Sequence, residues 1–240
     1  MQHIKYIFPT RIPTLSIRGI EAKFPVRRVL CIGKNYEDHV KEMGGSVEKD
    51  EPLWFTKPAD AVVDTTVTKS IKYPPHSKNI HWEGELVVAI SKPGQFIDKA
   101  NAMKHIYGYA VGCDITARDL QSKAKERGRP WDMAKGFDQS APIGEIIPRN
   151  SNDEWLSMED HELSLSVNGT TKQRTRISSM IWTIPEIISE LSNCIKLEAG
   201  DVIFTGTPSG VGSMNVNDKI KVTCGDLPSC EFVVVDKDTA

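Results

Sequence analysis

The chain has 240 residues and a formal net charge of -2 at pH 7, with acidic and basic residues interspersed along its length. This length is enough for one domain with a substantial core, and the balanced charge argues against a nucleic-acid or membrane-surface partner. The longest apolar runs are of strand length and no signal-peptide pattern is present, so we expect a soluble, unsecreted protein that acts on a small molecule.

Residues 1–25 carry three prolines between short apolar stretches. This pattern predicts a short N-terminal extension of strands and turns, followed by one main domain at residues 26–240. Cysteines occur in an odd number and without Cys-x-x-Cys spacing, which argues against a disulfide framework and against a zinc site. We expect reduced thiols that mostly serve as packing groups at Cys31, Cys113, Cys194, Cys224 and Cys230.

Short apolar runs separated by turns rich in glycine, proline and aspartate predict strands over residues 29–32, 53–55, 85–90, 109–113 and 202–205. Leu163, Leu165 and Val167 alternate with polar residues up to Asn168-Gly169, which is typical of a hairpin closed by a type I′ turn. The sequence therefore predicts a mostly antiparallel sheet.

Helical patterns are fewer. Apolar residues recur at helical spacing over residues 184–195, after Thr183 and before Gly200, which predicts a helix there. Shorter helices are predicted over residues 97–105 and 37–45. The charged stretch over residues 39–51 has two interpretations, a lid beside an active site or a solvated loop.

Three carboxylates in two short segments are the most informative feature. Glu83 and Glu85 precede an apolar run that is typical of a buried strand, and alternate strand residues point to one face. Asp114 follows the next predicted strand. Hard oxygen ligands that converge suit Mg²⁺, Mn²⁺ or Ca²⁺ better than zinc. The alternative is an exposed strand end with solvated acids.

The glycine-rich segment from Thr205 to Gly212 superficially suggests a phosphate loop. It lacks the Gly-Lys-Ser/Thr ending and the Gly-x-Gly-x-x-Gly spacing of nucleotide sites, so no nucleotide is expected. A tight turn that needs glycines for positive φ is one interpretation, and it is compatible with a role of this turn at the substrate.

Taken in order, six segments resemble the fumarylacetoacetate hydrolase family, and within it the small members that hydrolyse fumarylpyruvate and other acylpyruvates. The segments are Gly33-Lys34-Asn35-Tyr36 with His39 and Glu42, Phe55-Thr56-Lys57-Pro58, His81 to Leu86, Asp114 to Gln121, Gly128 to Phe137, and Thr205 to Gly212. Each segment alone is weakly specific, and their order makes the pattern strong.

The resemblance implies an α+β fold, a mixed, mostly antiparallel β-roll with peripheral helices, associated as a homodimer and cytoplasmic in a bacterial source. It also implies that Glu83, Glu85 and Asp114 hold one Mg²⁺ or Mn²⁺ per chain. Three carboxylates leave about three octahedral positions free, which a 2-oxo acid can fill by chelation.

The family match assigns further roles. His39 and Glu42 would form a catalytic dyad and Lys135 would stabilise an oxyanion, although a helical histidine and a lysine are more often surface groups. The match would also place Arg118, Gln121 and Thr207 at the substrate. Arg118 has an equally weighted alternative as a structural partner of Asp119 or Glu83. His81 is a candidate support for the metal ligands.

The resulting prediction is a metal-dependent hydrolase that cleaves the carbon–carbon bond of a 2,4-dioxo acid, with fumarylpyruvate giving fumarate and pyruvate. The nearest alternatives use the same metal-stabilised enolate: an acylpyruvase, an oxaloacetate decarboxylase, or a hydratase or isomerase of another 2-oxo acid. The alternative outside enzymes is a noncatalytic scaffold that keeps the fold. The presence of His39, Glu42 and Lys135 argues against it.

Overall fold

Strands dominate the structure, a computed structural model that describes residues 7–9, 11–47, 49, 51–149 and 158–238. The strands in the first half of the chain are β1 Thr14–Ile17, β2 Ile20–Pro25, β3 Arg28–Gly33, β4 Leu53–Lys57, β5 Val62–Asp64, β6 Ser70–Lys72, β7 Ile80–Trp82, β8 Gly84–Ile90 and β9 Ile106–Cys113. The remaining strands are β10 Thr116–Ala117, β11 Ala141–Ile143, β12 Ile147–Pro148, β13 Glu162–Val167, β14 Thr170–Arg176, β15 Asp201–Phe204, β16 Gly212–Ser213, β17 Lys219–Cys224 and β18 Cys230–Val235.

The helices are short and lie between strands. They are α1 Glu37–Glu42, α2 Lys99–Ala102, α3 Arg118–Glu126, α4 Asp132–Lys135 and α5 Ile184–Cys194. Single 3₁₀ turns occupy Ala59–Ala61, Met103–His105, Met158–Asp160 and Ile177–Ser179.

Two large sheets form the body. One has the order β4-β3-β15-β8-β9-β11-β5, with β12 also paired to β9, and the other has the order β14-β13-β17-β18-β6. Two smaller sheets, β10-β7-β16 and β1-β2, complete the described fold. The pairs β3 with β15, β5 with β11 and β6 with β18 are parallel, and the other described pairs are antiparallel. The predicted mixed, mostly antiparallel α+β fold is confirmed.

The predicted strands are all present, and the hairpin between β13 and β14 turns at Asn168 and Gly169 with φ of 51° and 80°. Two positive φ values in succession are what a type I′ turn requires. Helix α5 begins at Ile184, and the residue before it, Thr183, forms a capping box with Glu186. These local patterns were sufficient to predict the hairpin and the helix, because each contains the residues that form the turn or begin the helix.

Other expectations need correction. The helix predicted over residues 97–105 is a short α2 followed by a 3₁₀ turn, and the one predicted over 37–45 ends at Glu42. Helix α3 was not predicted at all, because its buried positions are the polar residues Arg118 and Gln121 and no apolar stripe marks it. The charged stretch over residues 39–51 keeps its two interpretations, a lid or a solvated loop, and its residues 48 and 50 lie outside the described ones.

The core lies on both faces of the larger sheet. Side chains of β8 alternate between them: Leu86 and Val88 face the five-stranded sheet, whereas Val87 and Ala89 face the β1-β2 hairpin. The hairpin therefore packs against the main body. The boundary between extension and main domain at residues 25 and 26 stays a prediction. All five cysteines are unpaired, as expected, and no described helix is both long and apolar enough to cross a bilayer.

Strand register brings distant segments to one edge of the larger sheet. Glu85 pairs with Gly112 on β9, and the backbone N–H of Asp114 donates to the carbonyl of Glu83 at 2.8 Å. Because β3 and β15 run parallel and in register, their carboxyl ends also meet here. The segments after Gly33 and after Phe204 therefore lie beside the three carboxylates.

Asn35 holds this edge together from a fully buried position. Its Nδ2 donates to the carbonyls of Thr205 and Trp182 at 2.7 and 3.0 Å, and its Oδ1 accepts from the Trp182 N–H at 2.7 Å. Replacing Asn35 by alanine would leave these buried groups without partners. We expect the free energy of unfolding to fall by about 3 kcal/mol, measured by urea denaturation. Asn215→Ala, at an exposed position, is the control, and an equal loss in both variants would contradict the explanation.

Candidate metal centre and active site

Glu83, Glu85 and Asp114 form a compact buried cluster. One carboxylate oxygen from each lies within 4.8 Å of the others, and all three side chains are buried. Glu83 occupies the residue between β7 and β8, Glu85 the second position of β8, and Asp114 the residue after β9. The convergence predicted from the spacing is therefore confirmed, and the alternative of a solvated strand end is wrong.

Three cations surround the acids. Lys135 Nζ donates to Glu83 Oε2 and Asp114 Oδ2, both at 2.7 Å, and Lys57 Nζ lies 2.8 Å from Asp114 Oδ1. Arg118 forms a short ion pair with Glu83 Oε1. The exposed-lysine interpretation of Lys135 is wrong, because its side chain is buried. Three positive charges thus match three negative ones inside the protein.

Lys57 is a site residue to which the sequence analysis did not assign a role, since it appeared there only as part of the Phe55-Thr56-Lys57-Pro58 segment. Its side chain is fully buried and its Nζ also donates to the carbonyls of Ile115 and Lys135. A lysine that follows apolar residues in a strand pattern was the available signal, since such a side chain is buried only with partners.

The electrostatics of the three acids differ. Burial alone would raise the pKa of Glu83, but Lys135 and Arg118 overcome it and hold that pKa far below its ordinary value. Burial raises the pKa of Glu85 well above its ordinary value, and neighbouring Asp114 and Glu83 raise it further. Among the described residues, only the Gly206 N–H donates to Glu85, at 2.6 Å, and none of their cations forms an ion pair with it. The cluster therefore has a surplus of negative potential at Glu85.

The donor set fits a hard divalent cation. It consists of carboxylate oxygens from three chain positions, which is the chemistry that Mg²⁺ and Mn²⁺ prefer. Asp114 Oδ1 is buried and accepts no well-oriented hydrogen bond from the described residues, in spite of the nearby Lys57 ammonium. A cation beside this oxygen and Glu85 would satisfy both groups. Glu83, Glu85 and Asp114 are therefore the residues able to hold it.

His39 and Glu42 are paired as their spacing on one helix face suggests. His39 Nδ1 lies 3.1 Å from Glu42 Oε2, and Glu42 Oε1 accepts the Gly210 N–H at 3.0 Å. No hydrogen bond from a described residue occupies His39 Nε2. His39 is buried and lines the same pocket as the three acids. This arrangement fixes the imidazole through Nδ1 and leaves Nε2 for chemistry.

The glycine-rich turn supports the acids from the other side. Gly206, at φ of 103°, donates its N–H to Glu85, and Thr207 Oγ1 donates to the carbonyl of Gly84 at 2.9 Å. Gln173, on β14, donates to Thr207 Oγ1 at 2.9 Å and accepts from Gly84 N–H at 2.9 Å. Gln173 was missed by sequence reasoning, because a lone glutamine in a polar strand carries no local signal. The Thr207 hydroxyl hydrogen is therefore committed to the protein.

Arg118 and Gln121 lie one turn apart on the buried face of α3. Arg118 donates to Gln121 Oε1 at 2.6 Å and, through Nε, to His81 Nδ1 at 3.4 Å. Of the two structural partners considered for Arg118, the structure shows the ion pair with Glu83. Asp119 instead accepts from Ser77 Oγ at 2.5 Å. His81 supports the cluster through Arg118. Burial and then Arg118 lower the pKa of His81 to about 4.

One pocket unites these groups. Its wall contains eight of the nine predicted site residues, and Glu42 reaches it through His39. Toward solvent the wall continues with two lysines, Lys34 and Lys125, and two aromatic rings, Phe55 and Trp131. The pocket is thus acidic at its base and basic and aromatic at its mouth.

Comparison with known proteins agrees with this geometry. The family model described as fumarylacetoacetate (FAA) hydrolase C-terminal matches residues 28–235. The chain belongs to the fumarylacetoacetate hydrolase family. This family membership places the carboxylate cluster, the His39–Glu42 pair and the glycine-rich turn within one matched region.

Relatives within the fumarylacetoacetate hydrolase family carry several activities. The crystal structure of fumarylpyruvate hydrolase from Pseudomonas aeruginosa in complex with Mn²⁺ and pyruvate is 41% identical, with a TM-score of 0.90 over 97% of this chain and 100% of that chain. Mitochondrial oxaloacetate tautomerase from Homo sapiens is 40% identical over 87% of this chain and 91% of the relative. The 5-carboxymethyl-2-hydroxymuconate delta-isomerase from Mycobacterium smegmatis is 33% identical, with a TM-score of 0.77 over 90% of this chain and 82% of that chain.

Proposed function

We propose that this protein is a metal-dependent hydrolase that cleaves the carbon–carbon bond of a 2,4-dioxo acid, with fumarylpyruvate giving fumarate and pyruvate. The observation that carries the proposal is the buried Glu83, Glu85 and Asp114 cluster in one pocket with the His39–Glu42 pair. The likeness to the Mn²⁺- and pyruvate-bound fumarylpyruvate hydrolase supports the substrate.

Glu83, Glu85 and Asp114 hold one Mg²⁺ or Mn²⁺ in this proposal. When bound, the cation supplies Lewis acidity that orients the 2-oxo acid end and stabilises enolate charge. His39 Nε2 takes a proton from the water that attacks the distal keto carbon, while Glu42 holds the ring by Nδ1.

The other side chains orient and stabilise. Lys135 places a buried ammonium beside Glu83 and Asp114, and burial, which would lower its pKa, is outweighed by these two acids, which raise it. It therefore remains charged. Its three N–H donors are held by Glu83, Asp114 and Thr116 Oγ1, so it stabilises a nearby oxyanion through its positive charge. Arg118, Gln121 and Thr207 line the pocket that receives the substrate. Arg118 is held there by Glu83 and by Gln121 Oε1, so it shapes and charges this wall.

Charge balance favours an anionic substrate. The three acids are already matched by Lys57, Lys135 and Arg118, so a divalent cation adds two positive charges to the buried site. A dianionic acid would neutralise this excess. The site is therefore better suited to an anionic keto acid than to a neutral ester or amide.

The second candidate function keeps the site and changes the reaction. Oxaloacetate tautomerases are among the relatives at 40% identity, and tautomerisation, decarboxylation and isomerisation of 2-oxo acids all use a stabilised enolate. The pocket contains the groups that all these reactions need, so only a substrate panel separates them.

The test is the loss of the enol-diketone ultraviolet absorbance of fumarylpyruvate with purified protein, after chelation and after adding Mg²⁺ or Mn²⁺. We expect metal-dependent decay that yields equimolar fumarate and pyruvate. Acetylpyruvate and oxaloacetate complete the panel, with carbon dioxide and pyruvate as readouts. Turnover of oxaloacetate alone would favour the second function, and tight metal binding without any turnover would favour a noncatalytic scaffold.

Assembly and location are also proposals. We propose a cytoplasmic homodimer in a bacterial source, as the family resemblance implies. Light scattering coupled to size-exclusion chromatography should give about twice the 26.7 kDa chain mass, and a monomer mass would contradict the dimer.

A further inference from the structure

The proposed substrate raises a question that the metal site leaves open. Fumarylpyruvate carries a second carboxylate at the far end of its acyl group, and a charged end that leaves water needs a partner. Lys57, Arg118 and the two lysines of the segment over residues 39–51 are the first cations to consider for this second carboxylate. Their contacts decide which of them is free.

Each of these cations is already engaged. Lys57 is fully buried against Asp114 and two carbonyls, and the Arg118 guanidinium is shared by Glu83, Gln121 and His81. Lys49 pairs with Glu186 at 2.9 Å and lies 4.9 Å from the centre of the Trp182 ring. Lys41 lies 3.5 Å from Glu37 on the exposed side of α1.

Two other lysines stand at the mouth of the pocket. Lys34 and Lys125 both line it together with the three acids, and neither forms an ion pair or a side-chain hydrogen bond with a described residue. Both are exposed on the solvent side. The mouth therefore carries two uncompensated positive charges above the metal cluster.

The fold fixes the backbone at Lys34. Lys34 follows the last residue of β3 and has φ of 58°, a left-handed conformation that non-glycine residues seldom adopt. The buried Asn35 next to it is tied to Thr205 and Trp182, which keeps this turn in place. Such backbone conformations persist where the surroundings enforce them.

Lys125 is held by a helix and an aromatic ring. It lies seven residues after Arg118 on α3, so it shares the face of Arg118 and Gln121. Its Nζ lies 5.1 Å from the centre of the Trp131 ring, a favourable cation–π distance. Trp131 lines the pocket mouth itself.

The two lysines also repel each other. The pKa of Lys125 is lowered, first by partial burial of its side chain and then by Arg118; Glu83 opposes this shift, and Lys34 and Lys135 add to it. Positive charges gathered without an acidic partner favour a bound anion.

We propose that Lys34 and Lys125 bind the distal carboxylate of the substrate and thereby select dicarboxylic over monocarboxylic 2,4-dioxo acids. This inference rests on the proposed function for the identity of the substrate, and on the geometry of the pocket mouth for the choice of residues.

The kinetic test uses the double variant Lys34→Met/Lys125→Met in the full-length, Mn²⁺-loaded protein. Loss of hydrogen bonds to a charged group should lower the ratio of kcat/KM for fumarylpyruvate to that for acetylpyruvate about tenfold or more. Lys123→Met is the matched control, because Lys123 lies on the same helix and does not line the pocket. Lys34→Arg/Lys125→Arg should retain most of the selectivity.

Arg129 provides a competing explanation, because it lines a neighbouring cavity with Phe55, Trp131 and Lys135. If Arg129→Met lowers the ratio and the double variant does not, the assignment to Lys34 and Lys125 is wrong. An equal loss for both substrates in the double variant would also overturn it, since a general defect does not report on the distal carboxylate.

A binding experiment separates this inference from the proposed reaction. Isothermal titration calorimetry compares fumarate with crotonate, which lacks one carboxylate, in the wild-type and double-variant proteins. We expect fumarate to bind the wild type about tenfold more tightly than crotonate, with the difference lost in the double variant and reduced by added salt. If no 2,4-dioxo acid is cleaved, the proposed function fails while this comparison still decides the inference. Equal affinities in the wild type would overturn it.

Discussion

Replacing Glu85 by glutamine is expected to weaken Mn²⁺ binding by about 100-fold or more and to abolish metal-dependent turnover. Residues that only hydrogen-bond to a metal ligand typically contribute about 10- to 100-fold to metal affinity. Loss of the charge on a ligand itself should therefore lower metal affinity by at least that much. Glu85 is the most informative of the three acids, because within the described part of the chain its hydrogen-bond donor is the Gly206 N–H and it forms no ion pair with a buried cation.

The same substitution should leave the metal-free protein at least as stable as the wild type. The pKa of Glu85 is raised in the folded state by burial and by Asp114 and Glu83. A carboxyl with a raised folded pKa disfavours folding as the pH rises above its ordinary unfolded value, since the unfolded chain ionises first. Glutamine removes this cost at neutral pH. Glu85→Gln should therefore separate metal binding from stability.

Calorimetric titration with Mn²⁺ and thermal unfolding in a chelator measure the two effects. Glu37→Gln, at an exposed acid on α1, is the control and should change neither. Tight Mn²⁺ binding and full activity in Glu85→Gln would exclude the proposed centre. Full activity after replacing both Glu83 and Glu85 by alanine would exclude it as well.

His39→Gln is expected to lower kcat by about 10²- to 10⁴-fold while Mn²⁺ affinity stays within about threefold of the wild type. Glutamine keeps a polar side chain near Glu42 but cannot take a proton at Nε2. Since the carboxylates and their cations are untouched, the loss should fall on kcat more than on KM.

Two further variants serve as comparisons for His39→Gln. His76→Gln should have no effect, because His76 is exposed and contacts the Met133 carbonyl. Glu42→Gln should cause a smaller loss than His39→Gln, since it disturbs the orientation of the imidazole and not its presence. An unchanged kcat in His39→Gln would remove His39 from the proposed mechanism.

The predictable parts of this fold carry local signals. Thr183 and Glu186 form the capping box that begins α5, and Asn168-Gly169 closes the hairpin in the conformation that this pair favours. The carboxylate cluster was predictable as well, because Glu83 and Glu85 lie on either side of the first residue of β8.

The parts that sequence reasoning missed depend on contacts between distant positions. Helix α3 turns Arg118 and Gln121 inward, so its pattern shows no apolar face. Lys57 meets Asp114, and Gln173 meets Gly84 and Thr207, only after the sheets have formed. Buried polar networks of this kind form between side chains that are distant in the sequence. Secondary-structure propensity and hydrophobic periodicity therefore do not predict them.

Helix α3 sets the distance between the base and the mouth of the pocket. Arg118 at its first position contacts Glu83 at the acidic base, whereas Lys125 near its end stands at the mouth. Seven residues of α-helix advance about 10 Å along the axis. The spacing between the two ends of the site is therefore set by the length of one rigid element, and a change in preferred acyl-chain length would require a change in the register of this helix or in the residue that occupies its last turn.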